Sequence, residues 1–352
     1  MEALRFCNTS VNIDDLHPIV RFLVASRICV IFMTIYAVSI GGLAALINGV
    51  FDIVTFSIIM ILFILLHMAD NLLNDLSDYG KRIDVEGYPR LQYAPHPVIH
   101  GILSVKTIKI YVVATLMASI IYAVYLGVVR TPLIPILALI GGFVMLGYSG
   151  IALDLKRSGL GELGVFIVWG LVMAGGTYTA LTGAPPVREA LVYMPYGLTV
   201  SLVLIGKHLD KYEMDVLKGV YTLPVRLGYG RTLLLARYIS IAAPILAAIG
   251  ISLYTGSPLS IFALSSLPMS YVVYKSYVSG MPSKRPEGWR IWPLWFAAWS
   301  YLSLDAVGRY TVLTLISVVT PYPYNFIAAL LVILMLYSDI RKAREYISKY
   351  LS

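Results

Sequence analysis

Asp70-Asn-Leu-Leu-Asn-Asp-Leu-Ser-Asp78 closes a long apolar stretch, Phe51 to Met68, in which His67 is the main polar interruption. An apolar run of that length reads as a membrane-spanning helix. Charged groups at membrane depth are costly unless they serve a site. Set at 100° per residue, Asn71, Asn74, Asp75 and Asp78 fall within an arc of about 100°. Asp84 follows after Gly80, Lys81 and Arg82. Oxygen donors gathered in this way suit a hard cation such as Mg²⁺.

Composition agrees with the membrane. Hydrophobic residues make up 59% of the 352 residues and charged residues 13%, about half the charged share of a soluble domain. The expectation is an all-α, polytopic bundle forming a single membrane domain over residues 1–352, with nine to ten transmembrane helices at roughly 20 residues each. Candidate spans lie near 18–48, 52–73, 104–127, 132–152, 160–183, 188–206, 232–254, 257–278, 290–312 and 323–341. Residues 1–17 are polar and show no cleavable signal peptide. Cys7 and Cys29 are far apart in sequence, so neither a disulfide framework nor a thiolate metal site is expected.

The net charge of +8 points to topology rather than to nucleic acid. With the N-terminus cytoplasmic, the lysines and arginines after spans two, four, six and eight, and those of the C-terminal tail, all share one side. The opposite side keeps only Arg130, Arg188 and Arg309. That asymmetry follows the positive-inside rule and places both termini and both acidic loops in the cytoplasm of a multi-pass cell-membrane protein.

A second acidic segment, Gly206-Lys-His-Leu-Asp-Lys-Tyr-Glu-Met-Asp215, comes after span six. If its helix continues, Lys207, His208, Lys211 and Asp215 share an arc of about 100°, with Asp210 on the flank. Two acidic helix ends facing each other can hold Mg²⁺ ions on a diphosphate while nearby lysines neutralise the remaining charge. Several residues have ordinary structural readings. His67 is expected to be a buried, hydrogen-bonded side chain, and Asp305 and Arg309 an ion pair four residues apart. Arg27 could snorkel to the interface.

These segments resemble the UbiA superfamily of intramembrane prenyltransferases. Asn74-Asp-Leu-Ser-Asp78-Tyr-Gly-Lys-Arg-Ile-Asp84 is similar to the first aspartate motif of the 1,4-dihydroxy-2-naphthoate polyprenyltransferase branch. Pro95-His-Pro-Val-Ile-His-Gly-Ile-Leu-Ser104, Tyr148 with Leu155-Lys-Arg-Ser-Gly-Leu-Gly-Glu162, and Asp215 with Gly219 and Thr222-Leu-Pro-Val-Arg-Leu-Gly228 follow in family order. The likeness covers roughly residues 20–280, leaving spans at 290–341 beyond it. The second motif departs from the family: Lys211 stands four residues before Asp215, Asp210 is one position early, and Lys207 and His208 replace the branch's asparagines.

The resemblance implies Mg²⁺-dependent transfer of a polyprenyl group from its diphosphate, drawn from the lipid, to an aromatic, naphthoate-like or phenolic acceptor in quinone biosynthesis. Metal ligands would be Asn74, Asp75, Asp78, Asp84, Asp210 and Asp215. Asn71, Lys81, Arg82, Lys156, Lys207 and Lys211 would contact the diphosphate. Asp78, Asp215, Asp210, His208 and Tyr148 would act at the reacting groups. Two alternatives stay open: geranylgeranyl transfer to a glycerophosphate ether, and a cation-coupled transporter, since acids near broken helices also mark ion pathways.

Overall fold

The computed structural model describes residues 16–151 and 153–351, and every regular element among them is helical. Cys7 and the polar N-terminal stretch lie outside the described residues. Among the described residues, seven helices are long and apolar enough to cross a membrane: Ile28–Ile47, Ile53–Gly80, Val105–Val129, Gly161–Thr182, Ala190–Leu209, Tyr229–Thr255 and Phe296–Val319. Leu133–Tyr148 is apolar but shorter. The expected span at 257–278 begins as a 3₁₀ stretch, Pro258–Ser266, and continues as Leu267–Ser279. The tenth expected span lies inside Asn325–Tyr350, whose C-terminal half carries Arg341, Lys342, Arg344 and Lys349.

The Ile53–Gly80 helix sets the site's position. The Asp52 carboxylate caps its first turn, accepting from the Val54 and Thr55 amides at 3.1 and 3.3 Å. Its 28 residues extend about 42 Å, beyond the roughly 30 Å of bilayer hydrocarbon. The surplus turns carry the acids. Gly80 ends the helix, and Arg82 adopts a left-handed φ of 56°, which turns the chain back over the bundle toward the short Pro89–Tyr93 helix.

The Ala190–Leu209 helix is the central post, with 72% of its apolar stretch buried, whereas Val105–Val129 is a wall with only 17% buried. The wall's exposed Ile110, Val113, Ile120, Ile121 and Val124 form an apolar face suited to lipid. Close backbone approach fixes the post's neighbours. A Cβ on Gly206 would lie 2.7 Å from the Ala297 nitrogen, so glycine lets the helix starting at Phe296 dock end-on.

Two sequence expectations change. The first expected span is broken: Pro18–Ala25 ends at Ser26, and Arg27 takes a left-handed φ of 60° before the chain resumes. This break turns Arg27 into the protein rather than toward the interface, and it is 8% exposed. Cys29 is disulfide-bonded, against the expectation of an unbridged cysteine.

Candidate active site

The two acidic segments meet, each with its own lysine. On the first, Lys156 Nζ sits between Asn74 Oδ1, at 3.4 Å, and Asp78 Oδ2. On the second, Asp215 Oδ1 accepts from the Tyr88 hydroxyl at 2.7 Å, Lys211 Nζ lies 3.7 Å from the same oxygen, and Thr222 Oγ1 reaches Oδ2 at 3.5 Å. Lys211 also donates to the Tyr88 hydroxyl at 3.1 Å. Burial alone would lower the Lys211 pKa, but the charges of Asp215 and Asp78 overcome this and raise it. One ammonium therefore feels both acidic segments. Tyr88 is pushed up by burial first and then by Asp215, so it stays a neutral donor.

Tyr88 clips the loops together. Lys211 and Lys218 lie 5.3 and 4.6 Å from its ring centre, and Lys218 Nζ also donates to the Ile83 carbonyl. Nothing in the sequence marked this tyrosine among 26.

Asp75, expected among the metal ligands, is paired with arginines in this structure. It is fully buried between two guanidiniums: Arg27 through Nη2, and Arg90 through Nε at 3.1 Å and Nη2 at 2.7 Å. Arg90 in turn donates to the Ala94 and Pro95 carbonyls at 2.7 and 3.2 Å. Burial works against the Arg90 charge, yet Asp75 carries its pKa above the ordinary value. Asp75 thus fastens the returning loop to the helix. The sequence reading counted Arg90 only toward topology; a second buried acid needing a partner was the available signal.

Asp210 also turns away from the cluster. The Ala190–Leu209 helix does not continue to residue 217: it stops at Leu209, and a new short helix begins at Tyr212. Both Asp210 oxygens accept backbone amides at the start of the Phe296–Val319 helix, Phe296 N at 2.8 Å and Ala297 N at 3.0 Å. That is an N-cap supplied from another helix. Burial raises its pKa to about 7 despite those amides.

Asp84, His96 and Asp75 present ligand atoms within 4.8 Å of one another. His96 Nδ1 accepts from the Val98 and Ile99 amides, both at 3.2 Å. When neutral, the ring therefore keeps its proton on Nε2, which lies 3.4 Å from Asp84 Oδ2. Asp75 of this group is held by arginines, while His96 Nε2 approaches Asp84 without a hydrogen bond. Asp84 keeps both buried oxygens without a hydrogen bond.

The remaining expected residues divide. His208 is buried, with Nδ1 2.7 Å from Glu162 Oε1, and its Nε2 has no hydrogen-bond partner among the described residues. Lys81 reaches outward to Asp154 at 3.4 Å and to the Ser149 carbonyl at 3.3 Å, and Arg82 is exposed. Asn71, Tyr148 and Lys207 line a cavity of about 130 Å³ whose wall also includes Asn74, so the cavity adjoins the acid cluster. His67 bonds Thr34 at 2.8 Å as a buried side chain. Arg309 pairs with Asp305 at 3.4 Å and additionally with Asp339 at 2.9 Å.

The donor set fits Mg²⁺. It is oxygen-rich, lacks thiolate, already holds a cationic nitrogen between Asn74 and Asp78, and leaves both oxygens of Asp84 unpartnered.

Comparisons agree with this architecture. Residues 34–301 match the UbiA prenyltransferase family. A 172-residue stretch is 30% identical to the 1,4-dihydroxy-2-naphthoate octaprenyltransferase of Haemophilus influenzae, covering 47% of this chain and 54% of that protein; the match thus spans about half the relative's length. The fold is similar to that of a UbiA homologue from Aeropyrum pernix, with TM-score 0.61 and 20% identity over 81% of this chain and 98% of that one. It is also similar to a digeranylgeranylglyceryl phosphate synthase, with TM-score 0.56 and 16% identity over 86% and 99%. An Archaeoglobus fulgidus UbiA homologue bound to DMAPP and Mg²⁺ gives TM-score 0.53 and 17% identity over 83% and 99%.

Proposed function

Because the chain belongs to the UbiA prenyltransferase family, we propose that it transfers a polyprenyl group from an allylic diphosphate to an aromatic acceptor of the naphthoate or phenol type, with Mg²⁺. The observation that carries this reading is the pair of acid–lysine sets, Asn74–Asp78–Lys156 and Asp215–Tyr88–Lys211, joined through Lys211. The family match extends to residue 301, beyond the 280 expected from sequence, and brings in Ala297 and Tyr301 on the cavity wall. It also removes the transporter alternative. The site lies on the cytoplasmic side of a bundle of nine to ten spans with both termini cytoplasmic, in keeping with the charge asymmetry of the loops.

Lys156 and Lys211, which now lie against Asp78 and Asp215, would bind the diphosphate oxygens. Bound Mg²⁺ would supply charge neutralisation of the diphosphate as it leaves. Asn74, Asp78, Asp84 and Asp215 would hold the ion. Lys156 and Lys211, both buried, supply fixed positive charge where water is scarce and the charge acts strongly. When the allylic C–O bond breaks, its electron pair departs with the diphosphate, the acceptor's ring carbon bonds to the allylic carbon, and that ring carbon then sheds its proton to restore aromaticity. Aromatic and aliphatic walls, among them Trp169, Val200 and Val203, keep water from quenching the cation.

Mass spectrometry of lipids after incubating purified protein with geranylgeranyl diphosphate, Mg²⁺ and separate acceptors tests the reading. Prenylated hydroxynaphthoic or hydroxybenzoic acid is expected. Product with a prenylated glycerophosphate alone would move the chain to the lipid-ether reaction, and no product with any acceptor would refute transfer.

A further inference from the structure

Four buried polar atoms without hydrogen-bond partners among the described residues belong to the wall of a cavity beside the acid cluster: Arg27 Nε, Asp70 Oδ1, Tyr93 Oη and Trp169 Nε1. Lys207 is on the same wall and makes no salt bridge or hydrogen bond among the described residues. Unmet groups are costly in a buried site, and each is a demand that a ligand can meet. The demands are unequal. Arg27, Lys207 and Trp169 offer only donors, while Asp70 as a carboxylate offers only an acceptor. The complementary molecule carries an anionic group for the cations and a hydroxyl for Asp70. The wall also holds Tyr93, Tyr148, Trp169 and Tyr301, which suits a flat ring between the two polar ends. Asn74 belongs both to this wall and to the Lys156–Asp78 cluster, so a ring here would adjoin the cluster proposed to hold the diphosphate.

We propose that Lys207 and Asp70 are the specificity-determining residues of the acceptor pocket, Lys207 together with Arg27 reading the acceptor's acid group and Asp70 its hydroxyl. This rests on the transferase reading and extends it to the two residues that choose the acceptor. Lys207 is one of the positions at which the chain departs from the naphthoate branch, and its long stem carries the charge to the wall from the central post. Arg27 is already committed to Asp75 through one nitrogen, so Lys207 supplies the freer charge.

The test is calorimetric binding to the full chain in nanodiscs loaded with Mg²⁺ and a non-reactive geranylgeranyl thiolodiphosphate. The titrants are hydroxynaphthoic acid, naphthol without the acid, and naphthoic acid without the hydroxyl. Wild-type protein is expected to prefer the hydroxy acid at least tenfold over each. Lys207→Met should erase the preference over naphthol and keep that over naphthoic acid, whereas Lys207→Arg should keep both. Asp70→Leu should erase only the preference over naphthoic acid. Lys207→Gln and Asp70→Asn carry the same tests where the apolar variants do not extract as folded protein, with a reduced rather than abolished preference expected for Asp70→Asn. Equal weakening for all three titrants, or unchanged ratios, overturns the proposal. Thiolodiphosphate binding is measured first in the same samples. If wild-type protein fails to bind it, the transferase reading falls and the inference with it. If it binds and the ratios do not move, only the inference falls.

Discussion

Removing the Asp75 carboxylate separates a structural clasp from a metal ligand. Asp75 receives three charge-assisted hydrogen bonds, one from Arg27 Nη2 and two from Arg90 at 3.1 and 2.7 Å. At roughly 1.5–3 kcal/mol each, their gross worth is about 5–9 kcal/mol. Arg90 would keep its bonds to the Ala94 and Pro95 carbonyls, so part of this loss is recovered. Breaking a buried pair by deleting one partner typically costs about 3–5 kcal/mol. Asp75→Asn, which keeps one acceptor oxygen, is expected near the lower end and Asp75→Ala near the upper. The assay is denaturation in detergent micelles followed by tryptophan fluorescence, alongside Mg²⁺ titration of prenyl transfer at a temperature where the variant is folded. The expected outcome is a large loss of stability with the Mg²⁺ requirement of the residual activity unchanged. A variant as stable as wild type that needs at least tenfold more Mg²⁺ would refute the clasp and restore Asp75 as a ligand.

Other expectations concern the two acid–lysine sets and the interhelix cap. Lys156→Met should raise the KM for prenyl diphosphate at least tenfold, about 1.4 kcal/mol of binding, because it removes the cation between Asn74 and Asp78; an unchanged KM in steady-state assays would remove Lys156 from the diphosphate site. Asp210→Ala should cost about 1–2 kcal/mol of stability through the lost cap without altering Mg²⁺ dependence, and a sharp rise in the Mg²⁺ requirement would contradict the capping role. Burial holds Asp210 at about 7 against an ordinary 3.8, so the folded chain binds more protons between those values and its stability falls as pH rises through that window. Asp210→Asn should flatten that part of the melting-temperature profile; an identical slope in both proteins would refute the assignment.

Helical periodicity made the first acidic face legible, but could not assign partners along its edges. Asn74 and Asp75 are consecutive and stand at opposite edges of the arc, 100° apart. One edge meets Lys156 and the other meets Arg27 and Arg90, a division made by loops distant in sequence. The second motif was harder to read because the expected angles assumed one helix through residues 206–217. The break after Leu209 invalidates that geometry. Its cause is tertiary: Gly206 admits the backbone of the helix starting at Phe296, and Asp210 is drawn to that helix's free amides. Tyr88 was invisible because a lone loop tyrosine has no pattern to betray it. Glu162 was quoted only within a family-like stretch; its pairing with His208 joins positions no periodicity relates.

The central claim, that the two acidic segments jointly hold a metal–diphosphate, is tested most directly by electron paramagnetic resonance of Mn²⁺ in the purified protein with and without geranylgeranyl thiolodiphosphate. The expected result is tight Mn²⁺ binding that depends on the diphosphate, shows coupling to phosphorus, and is lost together with it in Asp78→Asn and in Asp215→Asn. Diphosphate binding that survives chelation of all metal, or Mn²⁺ binding indifferent to both substitutions, would contradict the account.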